Sequence, residues 1–358
     1  MAPVVRRLAA KPGIESRVCV TAQHRDMLDQ VLELFSIRPD YDLDLMRPDQ
    51  SLAALTAAVF EKLDPLLADV RPDWILIQGD TTTVMAAALL GYYHHIRVGH
   101  VEAGLRTGDK WRPFPEEINR RVAGTVADLH FAPTTWARDN LLREGIPAER
   151  VIVTGNPVID ALQEILRRPY DFHAGPLGWL PDDRRLVLIT AHRRESFGPP
   201  LEAIFRALLR LAETYRDDAV FVYPVHPNPN VREPAERILA GAANIRLIDP
   251  LDYLPMVHAM KRATVILTDS GGIQEEAPAL GTPVLVMREV TERPEAIQAG
   301  TARLVGTDPE RIVAETRRLM DQPSAREAMA RAANPFGDGH AAERIVDALL
   351  GAPVFSPA

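Results

Sequence analysis

With 358 residues, 46% of them apolar and 25% charged, the chain has an ordinary globular profile and enough length for about two domains with separate cores. A formal charge of −8 disfavours nucleic acid and anionic membranes as partners, and no apolar run approaches the roughly 18 residues that span a bilayer. A single cysteine, Cys19, cannot form an internal disulfide, so the cytoplasm is the expected compartment, and Cys19, inside the apolar run Arg17-Val18-Cys19-Val20, reads as a buried, inert thiol.

The chain opens on Ala2-Pro3-Val4-Val5-Arg6-Arg7-Leu8-Ala9-Ala10, which reads as the body of a helix. A doubly wound domain normally opens with a strand and a tight turn into such a helix, so that strand and turn are expected to be missing here, with a sheet edge exposed in consequence. From there apolar runs alternate with helical stretches. The strand-like runs are 17–20, 73–78, 96–101, 151–154, 186–190, 219–225 and 264–268. Between them 26–35, 51–70, 83–93, 134–144, 201–215 and 273–280 read as helices. Strict alternation predicts an α/β chain with parallel sheets. The Pro/Gly-rich stretch 167–185 lacks either periodicity and reads as an interdomain linker. This places one domain at 1–168 and a second at 180–335. A further break at 334–339 lets a last helix, 338–351, leave the second domain and pack elsewhere.

In open α/β sheets ligands bind beyond the carboxyl ends of the strands, so the residues after each run are the candidates. After Trp74–Gln78 comes Gly79-Asp80-Thr81-Thr82-Thr83, where Gly79 permits a sharp turn, the threonines can cap a helix, and Asp80 is either a turn residue or a carboxylate at the strand tip. After Val98–Val101 comes Glu102-Ala103-Gly104-Leu105-Arg106, an acid and a base packed among small residues. Pro113-Phe114-Pro115-Glu116-Glu117-Ile118-Asn119-Arg120 gives a rigid entry and an acidic first helical turn, with Glu116 and Arg120 on one face. His192 and His226 each follow a strand. Asp269-Ser270-Gly271-Gly272 leads from a strand into a helix, and its bare N–H groups suit a diphosphate. Glu276, one turn into that helix, can accept from ribose hydroxyls, and Arg293 follows the next strand, Val284–Met287. No histidine spacing fits a metal site, and neither a Walker sequence nor G-x-G-x-x-G nor G-x-S-x-G is present, so neither a metal nor a nicotinamide cofactor is expected.

Six of these segments, taken in order, resemble the bacterial non-hydrolysing UDP-N-acetylglucosamine 2-epimerases over nearly the whole chain. They are Gln78-Gly79-Asp80-Thr81-Thr82, His100-Val101-Glu102-Ala103-Gly104-Leu105-Arg106, Pro115-Glu116-Glu117-x-Asn119-Arg120, His192-Arg193-Arg194-Glu195, Asp269–Glu276 and Thr291-Glu292-Arg293-Pro294. The resemblance implies two Rossmann-like domains facing across a cleft, as in GT-B glycosyltransferases, with the last helix crossing back to the first. It implies reversible conversion of UDP-GlcNAc to UDP-ManNAc, with UDP as the group expelled and re-added, in a cytoplasmic homodimer that needs no cofactor and no metal. By residue, it makes Asp80, Glu102, Glu116 and His192 catalytic, and Arg120, Ser270, Gly271, Gly272, Glu276 and Arg293 substrate-binding. Gln23, His24, Arg193 and His226 resemble parts of a regulatory UDP-GlcNAc site. Family members open with a strand and Gly-Thr-Arg-Pro-Glu-Ala-x-Lys just before the Met-Ala-Pro of this chain, so the Arg and Lys of that turn are expected to be absent. Leu251 and Met256 stand where relatives often carry Gln and Phe near the uracil. A GT-B glycosyltransferase, or a nucleotide-sugar-binding protein with little turnover, shares the nucleotide half but does not need three matched acids.

Overall fold

Each apolar run marked above contains a strand in the computed structural model of the protein, which describes residues 1–21, 25–45, 47 and 50–351. The contacts divide the chain into two units, Met1–Ala161 with Phe336–Ala358, and Leu162–Pro335. Among the described residues every strand pairing is parallel.

In the first unit β1 (Cys19–Val20) pairs with β2 (Tyr41–Asp42), and a separate sheet runs in the order β3 (Trp74–Gln78), β4 (Arg97–Val101), β5 (Leu129–Ala132), β6 (Val151–Val153). Helices Leu52–Val70 and Thr82–Tyr93 cover this sheet, burying Val59, Leu63, Ala86, Leu90 and Val98 in one core. A second core forms where helix Ala2–Ala9 and the C-terminal helix Ala341–Gly351 meet the strands: Val4, Val101, Phe131, Ile345, Val346 and Leu349 pack together. The last helix therefore joins the first unit, as the family resemblance implied. At about 1.5–3 kcal/mol for each fully buried large apolar side chain, this patch is ample to hold it. Two polar contacts fix where it starts. Asn156 donates its N–H to the Phe336 carbonyl at 2.7 Å, and the Asp160 carboxylate accepts the N–H groups of Ala341 (3.2 Å) and Ala342 (2.9 Å). Asp160 thus caps a helix that lies far away in sequence.

The second unit holds one six-stranded sheet made of β7 (Arg185–Thr190), β8 (Ala219–Pro224), β9 (Ile245–Ile248), β10 (Val265–Thr268), β11 (Val284–Val286) and β12 (Ala302–Leu304). Its spatial order is β12-β11-β10-β7-β8-β9. This is the doubly wound order, with the switch point between β7 and β10. The strand residues read as continuous Val/Leu/Ile runs because helices bury both faces. The Pro/Gly-rich stretch is ordered against this unit: Leu177 and Leu180 are buried, and the Tyr170 ring stacks on His258 with centroids 5.0 Å apart. No helix among the described residues is long and apolar enough to cross a membrane.

One expectation is corrected. Cys19 is exposed, not buried. In a strand of two residues alternate side chains face opposite sides, so the inward position is taken by Val20, which is 9% exposed.

Candidate active site

The candidate residues fall into one cluster in each unit. In the first, β3 and β4 pair in register with Gln78 beside Val101, so Asp80 and Glu102 emerge at neighbouring strand ends. Gly79 makes the turn at φ 81°, a conformation open to glycine. Both of its polar groups are held from β4. Its N–H donates to the Val101 carbonyl at 3.1 Å, and its carbonyl lies 2.7 Å from His100 Nε2. His100 is completely buried. That burial, with help from Arg106 and Arg120, pushes its pKa down to about 4 against the hydrogen bond to Gly79. The ring is therefore neutral, and its Nε2 proton is the one donated to Gly79.

Asp80 is not the helix cap. Thr81 caps helix Thr82–Tyr93, its hydroxyl accepting from Val84 N–H, and the Asp80 carboxylate instead takes the guanidinium of Arg120. Asn119 Nδ2 donates to the Asp80 carbonyl at 2.9 Å. Glu116 and Arg120 share helix Glu116–Val126, yet the i,i+4 pair does not form: Arg120 goes to Asp80 and, at 3.2 Å, to Glu117. The Glu116 Oε2 atom is enclosed and has no hydrogen-bond partner among the described residues. Glu102 sits at φ 64°, a left-handed conformation that costs a non-glycine residue roughly 1–3 kcal/mol and tends to mark functional positions. Gln78 Nε2 donates to its Oε2 at 3.4 Å. Arg106, from the same loop, turns to Glu144 and grips both carboxylate oxygens, at 2.8 and 2.7 Å.

The second cluster sits at the β7/β10 switch point. Asp269, the first residue past β10, is fully buried. Its Oδ2 accepts the N–H groups of His192 (2.6 Å) and Arg193 (2.8 Å), and its Oδ1 lies 3.3 Å from His192 Nδ1. One carboxylate thus ties the loop after β7 to the loop after β10. The His226 ring stacks on His192, with centroids 5.7 Å apart and planes 8° from parallel. His226 Nδ1 accepts the Asn228 N–H at 3.1 Å, and burial together with His192 lowers its pKa.

Ser270, Gly271 and Gly272 follow. A Cβ on Gly271 would lie 2.5 Å from Arg293 Nη1 and 3.0 Å from Glu292 Oε1, so only glycine fits the turn as it stands. Arg293 is buried beneath it, with Nε on Glu275 and Nη1 on Glu292 at 2.7 Å. Glu292 also holds Arg288 at 2.9 Å and lies 3.9 Å from Arg193, while Arg288 reaches Glu195 at 3.1 Å. Burial raises the Glu292 pKa, but Arg293, Arg288 and Arg193 outweigh it and hold the carboxyl at about 2. Three arginines and three glutamates thus interlock under the turn. Removing Glu292, which is buried and holds both Arg293 and Arg288, leaves buried charge uncompensated, at a cost of about 3–5 kcal/mol. Glu276 is set apart from them. Burial foremost, with Glu275 adding, raises its pKa to about 7 against a hydrogen bond from the Tyr253 hydroxyl.

The structure therefore brings together Asp80, Arg120 and their neighbours Glu102 and Glu116 in one unit. In the other it gathers His192, Ser270, Gly271, Gly272, Glu276 and Arg293. Arg193 and His226, assigned by resemblance to a regulatory set, stand within the His192 cluster. Gln23 and His24 lie outside the described residues. Asp269, Glu275, Glu292, Glu117, Asn119 and His100 were missed as positioning residues although all lie in the motif segments. For His100, inside the run Val98–Val101, the available signal was a polar side chain in an apolar strand; the others carried none. Tyr253 and Arg288 carried no such signal.

Three comparisons bear on the family. A family model described as UDP-N-acetylglucosamine 2-epimerase matches residues 6–350. The UDP-N-acetylglucosamine 2-epimerase of Yersinia pestis is 55% identical over 356 residues, covering 98% of this chain and 94% of the relative, and that of Escherichia coli strain K12 is 54% identical over 355 residues with the same coverage. The crystal structure of the UDP-GlcNAc 2-epimerase from Neisseria meningitidis bound to UDP-GlcNAc superposes with a TM-score of 0.93 at 47% identity, covering 98% of this chain and 95% of that one. With its parallel α/β units, its doubly wound second sheet and its returning C-terminal helix, the chain belongs to the UDP-N-acetylglucosamine 2-epimerase family.

Proposed function

We propose that the protein interconverts UDP-N-acetylglucosamine and UDP-N-acetylmannosamine, inverting C2 by expelling and re-adding UDP. The observation that carries this reading is the parallel pairing of β3 with β4. It sets Asp80 and Glu102 at adjacent strand ends, beside the helix that carries Glu116. The crystal structure of the Neisseria meningitidis relative with UDP-GlcNAc supports the substrate.

The C2 hydrogen is flanked by an acetamido group and not by a carbonyl, so direct deprotonation is very hard. Breaking the C1–O bond to UDP makes C1 oxocarbenium-like and acidifies the C2–H. A carboxylate then takes the proton, a C1=C2 double bond forms, and UDP departs with the electron pair of the broken bond. Return of UDP to C1, with a proton delivered to the other face of C2, completes the inversion. Asp80, Glu102 and Glu116 are the groups for proton removal, proton return and cation stabilisation. Arg120 holds the Asp80 carboxylate in one orientation. His192 and the N–H groups of Gly271 and Gly272 receive the departing diphosphate, the Ser270 N–H being taken by the Thr268 hydroxyl at 2.9 Å; Arg293 supports the turn from beneath, and Glu276 accepts from the ribose. The reading also makes the protein a cytoplasmic homodimer, consistent with one cysteine and the family resemblance.

Incubation with UDP-GlcNAc in D₂O tests it. NMR should show deuterium entering C2 and UDP-ManNAc accumulating. Transfer of the sugar only to an added acceptor, or release of free ManNAc with UDP, would exclude it. Asp80→Asn and Glu102→Gln should each abolish exchange while UDP affinity stays within about tenfold of wild type.

A further inference from the structure

We infer that His100 is a positioning residue for the epimerisation, fixing the peptide that precedes Asp80 so that the carboxylate is presented in one orientation. The inference rests on the reading of Asp80 given above. Asp80 follows a turn that four hydrogen bonds hold in place. Gly79 N–H goes to the Val101 carbonyl (3.1 Å), Gly79 C=O takes His100 Nε2 (2.7 Å), Asp80 C=O takes Asn119 Nδ2 (2.9 Å), and the Asp80 carboxylate takes Arg120. Of these four contacts, His100 supplies the only side-chain hydrogen bond to Gly79. The glycine needs it, because at φ 81° it has no Cβ to restrict rotation of the Gly79–Asp80 peptide.

The ring itself has no freedom to leave. It is completely buried on the last turn of β4, opposite His130 of β5 in register, and His130 is equally buried. Burial holds both pKa values well below the ordinary histidine value, with His100 adding to the effect at His130. His100 thus donates from Nε2 throughout the physiological range. A buried donor held in one place is well suited to fix a carbonyl. A misplacement of about 1 Å at a reacting group can lower a rate about a hundredfold, so loss of this contact should reach the chemical step.

Three variants of the full chain test this. His100→Met fills the space without the donor, His100→Gln keeps an N–H donor at similar reach, and Asp80→Asn reports on the acid itself. For His100→Met, kcat should fall by about ten- to a hundredfold with the Kd for UDP within about threefold of wild type. His100→Gln should recover most of the rate. If Asp80→Asn is inactive but His100→Met turns over at the wild-type rate, the positioning role is wrong and the reading of Asp80 stands. If Asp80→Asn keeps its activity, the reading fails and takes this inference with it. Should His100→Met not fold by circular dichroism, His100→Gln decides. A folded but inactive His100→Gln would overturn the inference, and near-wild-type turnover would support it.

Discussion

Replacing Glu276 by glutamine should stabilise the protein in a way that grows with pH. Glu276 is buried, and its pKa is raised from 4.5 to about 7, by burial first and Glu275 next, against the Tyr253 hydrogen bond. An acid whose folded pKa lies above its unfolded value binds its proton more tightly when folded. The associated stability is complete below about pH 4.5 and is lost as the pH climbs through about 7. The displacement is worth about 3 kcal/mol, since each pH unit of difference corresponds to 1.36 kcal/mol. Glutamine keeps an acceptor for the Tyr253 hydroxyl and never ionises. The variant should therefore match wild type near about pH 4 and exceed it by about 3 kcal/mol near about pH 8. For a unit of this size 1 kcal/mol moves the midpoint by about 2–4 °C, so the gap in Tm should widen by about 6–12 °C across that range. Thermal unfolding of both full-length proteins in matched buffers measures it. A gap that stays constant, or narrows with rising pH, would refute the burial argument for Glu276.

Gly271→Ala should weaken UDP binding by about tenfold or more, because the new methyl meets Arg293 Nη1 at 2.5 Å and overpacking displaces the turn; wild-type affinity by calorimetry would show that the turn can yield. Asp160→Ala removes the cap of helix Ala341–Gly351 and should cost about 0.5–2 kcal/mol, with faster amide exchange at the start of that helix than elsewhere in the first unit. Uniform exchange across the helix would argue against the cap. EDTA should leave the epimerisation rate unchanged, and a loss restored by adding a divalent ion would overturn the metal-free mechanism.

The alternation of apolar runs and helical stretches made the parallel α/β class legible, because period and run length are local properties of the chain. The motif order was legible for the same reason, and it carried the family. Residues such as Asp80, Glu102 and Ser270–Gly272 could be placed at strand ends without a structure. What the sequence could not show is which charge answers which. Glu116 and Arg120 are helical neighbours, yet Arg120 serves Asp80, 40 positions away. Glu102 and Arg106 share a loop, yet Arg106 grips Glu144. Arg293 reads as a cation awaiting a diphosphate, yet it lies under Gly271 between two glutamates. Local spacing sets which partners are near along the chain. In a buried site the partner is chosen by desolvation: a charge taken out of water must meet an opposite charge there, and only the pairing of β3 with β4, of β4 with β5 and of β10 with β11 brought those charges together.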